Sequence, residues 1–227
     1  MSGKTVLITG SNRGIGLAFA THYAKQGWNV IAGVRDLASA TDLKGFRLVQ
    51  VDASDEISIL NAAKALEGVP IDLLLNNAGI GETHGLADTT KAGLLQQFEV
   101  NAIGPFLMTR AFLPNMKLAV AVCGSAIVGQ ISSRMGSISD NGSGRLYGYR
   151  ASKAAVNMIN SSLAVDLKND KIIAVALHPG YVVTRMTGFT GGLSPEASVA
   201  GLTKVIEGLT PEDSGKFYSF EGKIVPW

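Results

Sequence analysis

The sequence predicts a single α/β domain, spanning residues 1–227, in which a doubly wound parallel β-sheet carries helices on both faces. Short runs rich in β-branched residues alternate with longer segments in which apolar residues recur every three or four positions. Strand candidates such as residues 71–75 are almost continuously apolar, as is typical of strands covered on both faces. The chain has 227 residues, 46% of them hydrophobic, and no linker, repeat or charge block divides it. This length and composition suit one domain with a single buried core.

The strand and helix candidates follow one another in a regular order. The strand candidates are residues 4–9, 29–34, 47–51, 71–75, 125–131 and 171–177, with a further short strand expected near 217–220. The helix candidates are residues 14–26, 57–66, 91–118, 149–167 and 195–208. The long helix 91–118 contains Gly104-Pro105, and because proline has no backbone N–H we expect a bend near Asn101.

Composition argues against several classes of function. The net charge is +2 and the basic residues are dispersed, so no nucleic-acid partner is expected. The single cysteine, Cys123, and three histidines without ligand-like spacing give no metal site. The apolar stretch 118–128 is interrupted by Gly124 and Ser125 and is too short to span a membrane, and no signal sequence is recognised. We expect a cytoplasmic protein that does not bind membranes.

The first predicted strand runs into a glycine-rich turn that opens the first predicted helix. Glycine lets a backbone approach phosphate groups closely, and the N-terminal N–H groups and dipole of a helix attract an anion. This turn is therefore a candidate site for the pyrophosphate of a dinucleotide, although a tight strand-to-helix connection alone would look similar. The candidate cofactor-binding residues here are Gly10, Asn12, Arg13, Gly14, Ile15 and Gly16.

The end of the second strand indicates which dinucleotide is bound. An acidic residue there selects the free ribose 2′-hydroxyl of NAD, whereas an arginine accommodates the 2′-phosphate of NADP. Neutral Val34 is followed by Arg35, and Arg13 lies in the glycine turn, so two guanidinium groups favour NADP(H). The alternative is that both arginines are solvated surface charges and that Asp36 serves the ribose. Asp52, with Ala53, is placed to meet the adenine, or else caps a turn.

The sequence resembles the short-chain dehydrogenase/reductase family over almost its whole length. The ordered markers are Thr9-Gly10 with Gly14 and Gly16, Asn76-Asn77-Ala78-Gly79, Asn101, Ser132-Ser133, Tyr149-Arg150-Ala151-Ser152-Lys153, and Pro179-Gly180 with Thr184. The resemblance implies a Rossmann-type fold and hydride transfer between NADP(H) and a carbonyl or alcohol substrate. It also implies that Asn77, Ala78, Gly79, Tyr149, Lys153, Pro179, Gly180, Val182 and Thr184 contact the cofactor.

The resemblance implies a catalytic set of Ser133, Tyr149, Lys153 and Asn101, and elementary chemistry supports it. Tyr149 and Lys153 are four residues apart and share one helix face. A lysine charge about 4 Å away, at an effective dielectric near 20, would lower a tyrosine pKa of about 10 by roughly three units, towards neutrality, before desolvation acts in the opposite direction. Two serines compete to polarise the carbonyl oxygen, and we prefer Ser133 to Ser132. Asn101 is expected to anchor the water that replenishes the proton.

Two departures from the family pattern affect the substrate pocket. The interval from Ser133 to Tyr149 is long and includes Asp140-Asn141-Gly142-Ser143-Gly144, which we interpret as a flexible turn beside the site. The segment after Thr184 is short, which predicts a small lid and an open pocket. Together with residues 221–227, these features are most similar to the carbonyl-reductase branch that includes the sniffer and C-factor proteins.

Three functional interpretations remain open at this point. The first is a carbonyl reductase for aldehydes, ketones or quinones, and the second is a narrow biosynthetic reductase of a hydroxyketone or steroid. The third is an NADP(H)-binding signalling protein of the C-factor type. A homodimer or homotetramer is also expected, because residues 149–167 carry more apolar side chains than one face against a sheet requires.

Overall fold

The computed structural model describes residues 3–227, and all seven strands lie in one parallel sheet. The strands are β1 (Thr5–Thr9), β2 (Asn29–Val34), β3 (Arg47–Gln50), β4 (Leu73–Asn76), β5 (Ala126–Ile131), β6 (Ile172–His178) and β7 (Phe217–Ser219). Their spatial order is β3-β2-β1-β4-β5-β6-β7. The predicted parallel sheet, including its short last strand, is therefore confirmed.

Helices cover both faces of this sheet. They are α1 (Gly14–Lys25), α2 (Glu56–Ala65), α3 (Lys91–Phe98), α4 (Gly104–Cys123), α5 (Tyr147–Asp166) and α6 (Pro195–Glu207). Alternate strand residues feed two cores, because successive side chains of a strand point to opposite faces. Leu7 of β1 packs with Phe112 and Met116 of α4, whereas Val6 and Ile8 pack with residues of α1 and α6. The doubly wound arrangement predicted from the sequence is confirmed.

The predicted helix 91–118 is divided into three parts. Residues Glu99–Ile103 form a π-helical turn between α3 and α4, in which the N–H of Gly104 donates to the Glu99 carbonyl. Pro105 has no N–H and cannot donate to the Asn101 carbonyl, so the regular pattern fails here. The helix is irregular near Asn101, as Gly104-Pro105 led us to expect. The irregularity is a π turn, a feature frequent at functional sites. The helix also extends past its predicted end, to Cys123.

The combined helical stretch Lys91–Cys123 is long and apolar enough to cross a membrane by length and composition. Sequence analysis singled out the shorter stretch 118–128 instead. In the structure Met108, Phe112 and Met116 of α4 are buried against the sheet. This stretch therefore forms the core helix of the domain.

Sheet order places the functional site. The chain crosses from β1 to β2 and β3 on one side and then to β4, β5 and β6 on the other, so strand order reverses between β1 and β4. In open parallel sheets, ligands bind outside the carboxyl ends of the strands at such a reversal. The glycine turn follows β1, and Asn77, Ala78 and Gly79 follow β4. Both lie at this edge.

Candidate active site

The glycine turn after β1 is shaped for a close backbone approach. Gly10 and Gly14 have φ angles of 66° and 52°, in the left-handed region that favours glycine. A Cβ on Gly16 would overlap the carbonyl of Gly10, and one on Gly10 would lie 3.1 Å from the Cα of Ala78. In the part of the chain that the structure describes, no side chain caps the start of α1 at Arg13. Its first N–H groups can therefore face an anion.

The segment after β4 is tied to this turn. The backbone N–H groups of Asn77 and Ala78 both donate to the Thr9 hydroxyl at 3.0 Å. The amide of Asn77 also donates to the Thr9 and Gly10 carbonyls, at 2.9 and 3.3 Å. These bonds make the two halves of the predicted dinucleotide site one rigid edge.

The two predicted arginines lie at this edge with exposed side chains. Arg13 precedes α1 and Arg35 follows β2 directly, and within residues 3–227 neither forms an ion pair. Asp36 is engaged locally, because its Oδ1 accepts from the N–H of Ala38 at 2.9 Å and caps a short 3-10 turn. Asn12 donates to the Ser39 hydroxyl of the same turn, at 3.1 Å. The arrangement leaves one exposed cation after β2, Arg35, and one in the glycine turn, Arg13.

Asp52 has the turn-capping contacts that sequence analysis gave as the alternative. Its Oδ1 accepts from the backbone N–H and from the hydroxyl of Ser54, at 2.9 and 2.7 Å. Ala53 packs against the start of α4, since a Cβ on Gly104 would overlap the Ala53 carbonyl. Contact of Asp52 with an adenine remains a prediction.

Asn101 lies in the π turn and is fully buried. Its Oδ1 accepts from the N–H of Ile80 at 2.9 Å, and its amide donates to the Ile80 carbonyl at 2.8 Å and to the Ser152 hydroxyl at 3.0 Å. Both amide hydrogens therefore have protein partners. The side chain thus holds the segment after β4, and the anchoring of a water by Asn101 stays a prediction.

Ser133, Tyr149 and Lys153 converge next to this segment. The Lys153 ammonium lies 5.8 Å from the centre of the Tyr149 ring and donates to the Ile131 carbonyl at 2.7 Å. A Cβ on Gly79 would be 3.7 Å from the Lys153 nitrogen, so the catalytic helix meets the predicted cofactor edge there. Helix α5 begins two residues before Tyr149, which places that residue in the first turn.

Burial shifts the pKa values of Tyr149 and Lys153. Part of its ring is exposed, but burial raises the pKa of the phenol above its ordinary value, and the neighbouring Ser133 hydroxyl opposes this shift. Burial also lowers the pKa of Lys153 to about 8. Desolvation, which sequence analysis set against the lysine charge, is the larger of the two causes that act on the Tyr149 phenol here. Tyr149 is a protonated phenol at neutral pH.

The structure separates the two candidate serines. Ser132 donates to Oδ1 of Asn157 at 2.5 Å and is turned into α5. Ser133 accepts from the N–H of Met135 at 3.2 Å and faces the Tyr149 phenol. This placement agrees with the preference for Ser133. His178 helps to fix the turn that begins at Ser133, because its Nδ1 accepts from the N–H of Arg134 at 3.3 Å.

The segment after β6 closes the nicotinamide side of the predicted site. Gly180 has a φ of 87°, and the carbonyl of Pro179 accepts from the buried Ser198 hydroxyl at 2.6 Å. The carbonyl of Val182 accepts from the Thr187 hydroxyl at 2.8 Å. Thr184 approaches the glycine turn, since a Cβ on Gly14 would lie 3.3 Å from its Cγ2. Thr184 therefore borders the glycine turn, and contact of Pro179, Gly180 and Val182 with the cofactor stays a prediction.

Sequence reasoning missed two groups beside Tyr149. Ser152 is fully buried and accepts from Asn101 while donating to the Tyr149 carbonyl at 2.9 Å. Met186 covers one side of the site, because a Cβ on Gly81 would contact both Met186 and the Tyr149 ring. Ser152 could have been found from the sequence, because it directly precedes Lys153. No feature of the sequence around Met186 indicates that it lies beside Tyr149.

Comparisons with known proteins agree with this geometry. The family model described as short chain dehydrogenase matches residues 4–191. C-signal of Myxococcus xanthus is 42% identical over 159 residues, covering 70% of this chain and 93% of that protein. An NADPH-bound carbonyl reductase from chicken fatty liver is 34% identical with a TM-score of 0.92, and all of each chain is covered. The carbonyl reductase Sniffer of D. melanogaster is 28% identical with a TM-score of 0.94, covering 99% of this chain and 100% of that one.

The resemblance predicted from the motifs is thereby confirmed, including the branch that contains the Sniffer carbonyl reductases and C-signal. The matched region includes the glycine turn, Ser133, Tyr149 and Lys153. The chain belongs to the short-chain dehydrogenase family.

Proposed function

We propose that this protein uses NADPH to reduce the carbonyl group of an aldehyde, ketone or quinone. The observation that carries this proposal is the convergence of Ser133, Tyr149 and Lys153 beside the glycine turn, at the carboxyl edge of the sheet. The similarity to an NADPH-bound carbonyl reductase and to Sniffer supports the same activity.

The cofactor fits the cleft that the chain provides. The closely packed glycines and the uncapped start of α1 suit a pyrophosphate, and Arg13 and Arg35 suit a 2′-phosphate. Asn77 to Gly79 would hold the adjacent ribose, and residues 179–184 would hold the carboxamide. The reduced nicotinamide, when bound, supplies a hydride to the carbonyl carbon.

Tyr149 would supply the proton that completes the reduction. Its raised pKa keeps the phenol protonated at neutral pH, so it can donate to the carbonyl oxygen as negative charge develops there. Ser133, facing the same phenol, would hold that oxygen by a hydrogen bond. A protonated phenol suits reduction better than oxidation, because oxidation requires a base.

Lys153 and Asn101 would prepare Tyr149 for this step. The Lys153 ammonium near the ring stabilises the phenolate that remains after proton donation. Asn101 and Ser152 together fix the Ile80 segment and the Tyr149 backbone. We propose that the proton returns to Tyr149 by way of Lys153 and a water at the π turn.

The test is a carbonyl panel with NADPH oxidation as the readout, using the wild-type protein and Tyr149→Phe. We expect turnover with several unrelated carbonyls, and a fall in kcat of at least about 10²-fold in the variant because general acid catalysis contributes that much. NADPH affinity, measured by fluorescence titration, should change less than twofold. A variant that keeps its activity would contradict the assignment of Tyr149.

The same panel distinguishes two other functions. Turnover restricted to one hydroxyketone or steroid would favour a narrow biosynthetic reductase. Tight NADPH binding with no turnover on any carbonyl would favour a signalling role, which the similarity to C-signal supports. The complete Ser133, Tyr149 and Lys153 set favours catalysis.

We also propose a cytoplasmic homodimer. The exposed face of α5 carries Met158 and Val165, which are 68% and 74% exposed, next to the small residues Ala151 and Ala155. A continuous stripe of this kind suits an isologous helix–helix contact. The single cysteine provides no disulfide framework, which suits a reducing compartment.

A further inference from the structure

The loop formed by residues 137–146 joins the two parts of the catalytic set, since it follows Ser133 and precedes Tyr149. Its first end is fixed: Gly136 packs against α5 so closely that a Cβ would lie 2.6 Å from the backbone carbon of Lys153. Its last residue, Leu146, donates its N–H to the His84 carbonyl at 3.0 Å. The loop therefore runs beside the Tyr149 site with both ends attached to its walls.

Arg150 holds the middle of this loop. Its Nε donates to the Gly144 carbonyl at 3.0 Å, and its Nη2 donates to the Ser143 hydroxyl at 2.8 Å. Its Nη1 donates to the Met135 carbonyl at 3.4 Å. The planar guanidinium presents its N–H groups in a fixed fork, which a lysine cannot reproduce. The loop that sequence analysis interpreted as a flexible turn is thus attached at two points to a residue next to Tyr149, and a third bond ties that residue to Met135, just before the loop.

The backbone of the loop needs this support. Arg145 and Leu146 have φ angles of 57° and 54°, and consecutive non-glycine residues in the left-handed region are unfavourable. Such a conformation persists when the surroundings impose it. Arg150 bonds to the residue before this pair, and the Leu146 N–H bonds to His84. Loss of the guanidinium would release the strained turn.

A second attachment holds the opposite edge of the loop. The N–H and the hydroxyl of Ser139 both donate to the Trp227 carbonyl, at 3.1 and 2.7 Å. The Trp227 ring stacks on Phe217 of β7, with centroids 5.5 Å apart. The loop is therefore held between α5 and the last strand of the sheet.

We propose that Arg150 is a specificity-determining residue, which acts by keeping residues 137–146 as a fixed wall of the carbonyl pocket. This inference rests on the proposed carbonyl reduction. The wall limits the size of the substrate, and Arg150 takes no part in the transfer of hydride or proton. Release of the wall changes which carbonyl binds without changing cofactor binding.

The test uses Arg150→Met, Arg150→Lys and the control Arg47→Met, which removes an exposed arginine at the start of β3, at the end of the sheet opposite the site. Trypsin cleavage after Arg145 reports release of the loop. We expect cleavage to become at least tenfold faster in Arg150→Met, less so in Arg150→Lys, and unchanged in the control.

Substrate selection is measured as the ratio of kcat/KM for benzaldehyde to that for the bulkier benzophenone. In Arg150→Met we expect this ratio to change at least fivefold through KM. The kcat for benzaldehyde and the Kd for NADPH should stay within twofold, which a general loss of structure would not allow. The milder Ser139→Ala removes one hydrogen bond between the loop and Trp227 and should change the kcat/KM ratio in the same direction. This variant replaces Arg150→Met in the test if Arg150→Met does not fold.

Three outcomes would overturn the proposal, and they can be told apart. Unchanged trypsin cleavage in Arg150→Met would show that Arg150 does not hold the loop. Faster cleavage with an unchanged ratio would show that the loop does not select the substrate. A wild-type protein that reduces no carbonyl of the panel would refute the proposed function and the selectivity role with it, while the cleavage result would still report on the attachment of the loop.

Discussion

Burial shifts the pKa values of the two side chains proposed to move the proton in opposite directions. Burial lowers the pKa of Lys153 to about 8, so the ammonium that supports Tyr149 begins to be lost above that pH. Burial raises the pKa of the Tyr149 phenol, which therefore stays protonated. The charge state of Lys153, and not that of Tyr149, should set the alkaline limit of reduction.

We therefore predict that kcat/KM for a carbonyl substrate, at saturating NADPH, is constant near neutral pH and falls as pH rises through about 8. The sign follows from the protonated amine being the active form. The measurement is a pH profile of NADPH oxidation between pH 6 and 10, with NADPH binding followed in parallel. A profile that stays flat beyond pH 9.5 would contradict the role of the ammonium.

The second prediction at the residue scale concerns two exposed arginines, Arg35 after β2 and Arg13 in the glycine turn. Replacement of Arg35 or Arg13 with alanine should lower kcat/KM for NADPH by about 10- to 100-fold, since a charged hydrogen bond to phosphate contributes roughly 1.5–3 kcal/mol. The value for NADH should change less than threefold, because NADH lacks the 2′-phosphate. Arg47→Ala is the control. A wild-type preference for NADH that both variants retain would refute this assignment.

At the scale of elements, the sequence predicted strands and helices well because their signals are local. Alternation of β-branched runs with helical spacing identifies β1 to β7 without knowledge of their neighbours. The π turn was recognised only as an irregularity at Gly104-Pro105, because a missing N–H indicates where a helix is disturbed but not which hydrogen-bond pattern replaces it. Motif residues on one element, such as Tyr149 and Lys153, were likewise predictable from spacing.

Contacts between elements could not be predicted in this way. The bonds of Asn101 to Ile80, of Arg150 to the loop and of Ser139 to Trp227 join residues whose adjacency depends on packing. The same holds for the pKa of Tyr149, because the amount of burial is a tertiary property and decides between two opposing effects. The sequence therefore identified the candidate catalytic residues but not their support.

At the scale of the whole molecule, the two faces of the domain differ in how they are used. One side of α5 supplies Tyr149 and Lys153 to the site and packs against the sheet through Leu163 and Ala164. The opposite side exposes Met158 and Val165. A dimer formed on that side would stiffen the helix that carries the proposed catalytic residues.

The last prediction tests this assembly. In a two-fold interface each substitution occurs twice, so Met158→Glu with Val165→Glu would bring four like charges together and dissociate the dimer. Size-exclusion chromatography with light scattering should give a dimer for the wild type and a monomer for the double variant. Ile57→Glu on α2, at a position 70% exposed, is the matched control and should remain dimeric. A monomeric wild-type protein would refute the dimer, and equal effects of the control would place the contact elsewhere. Because α5 carries Tyr149, we expect the dissociated variant to lose thermal stability and part of its kcat together.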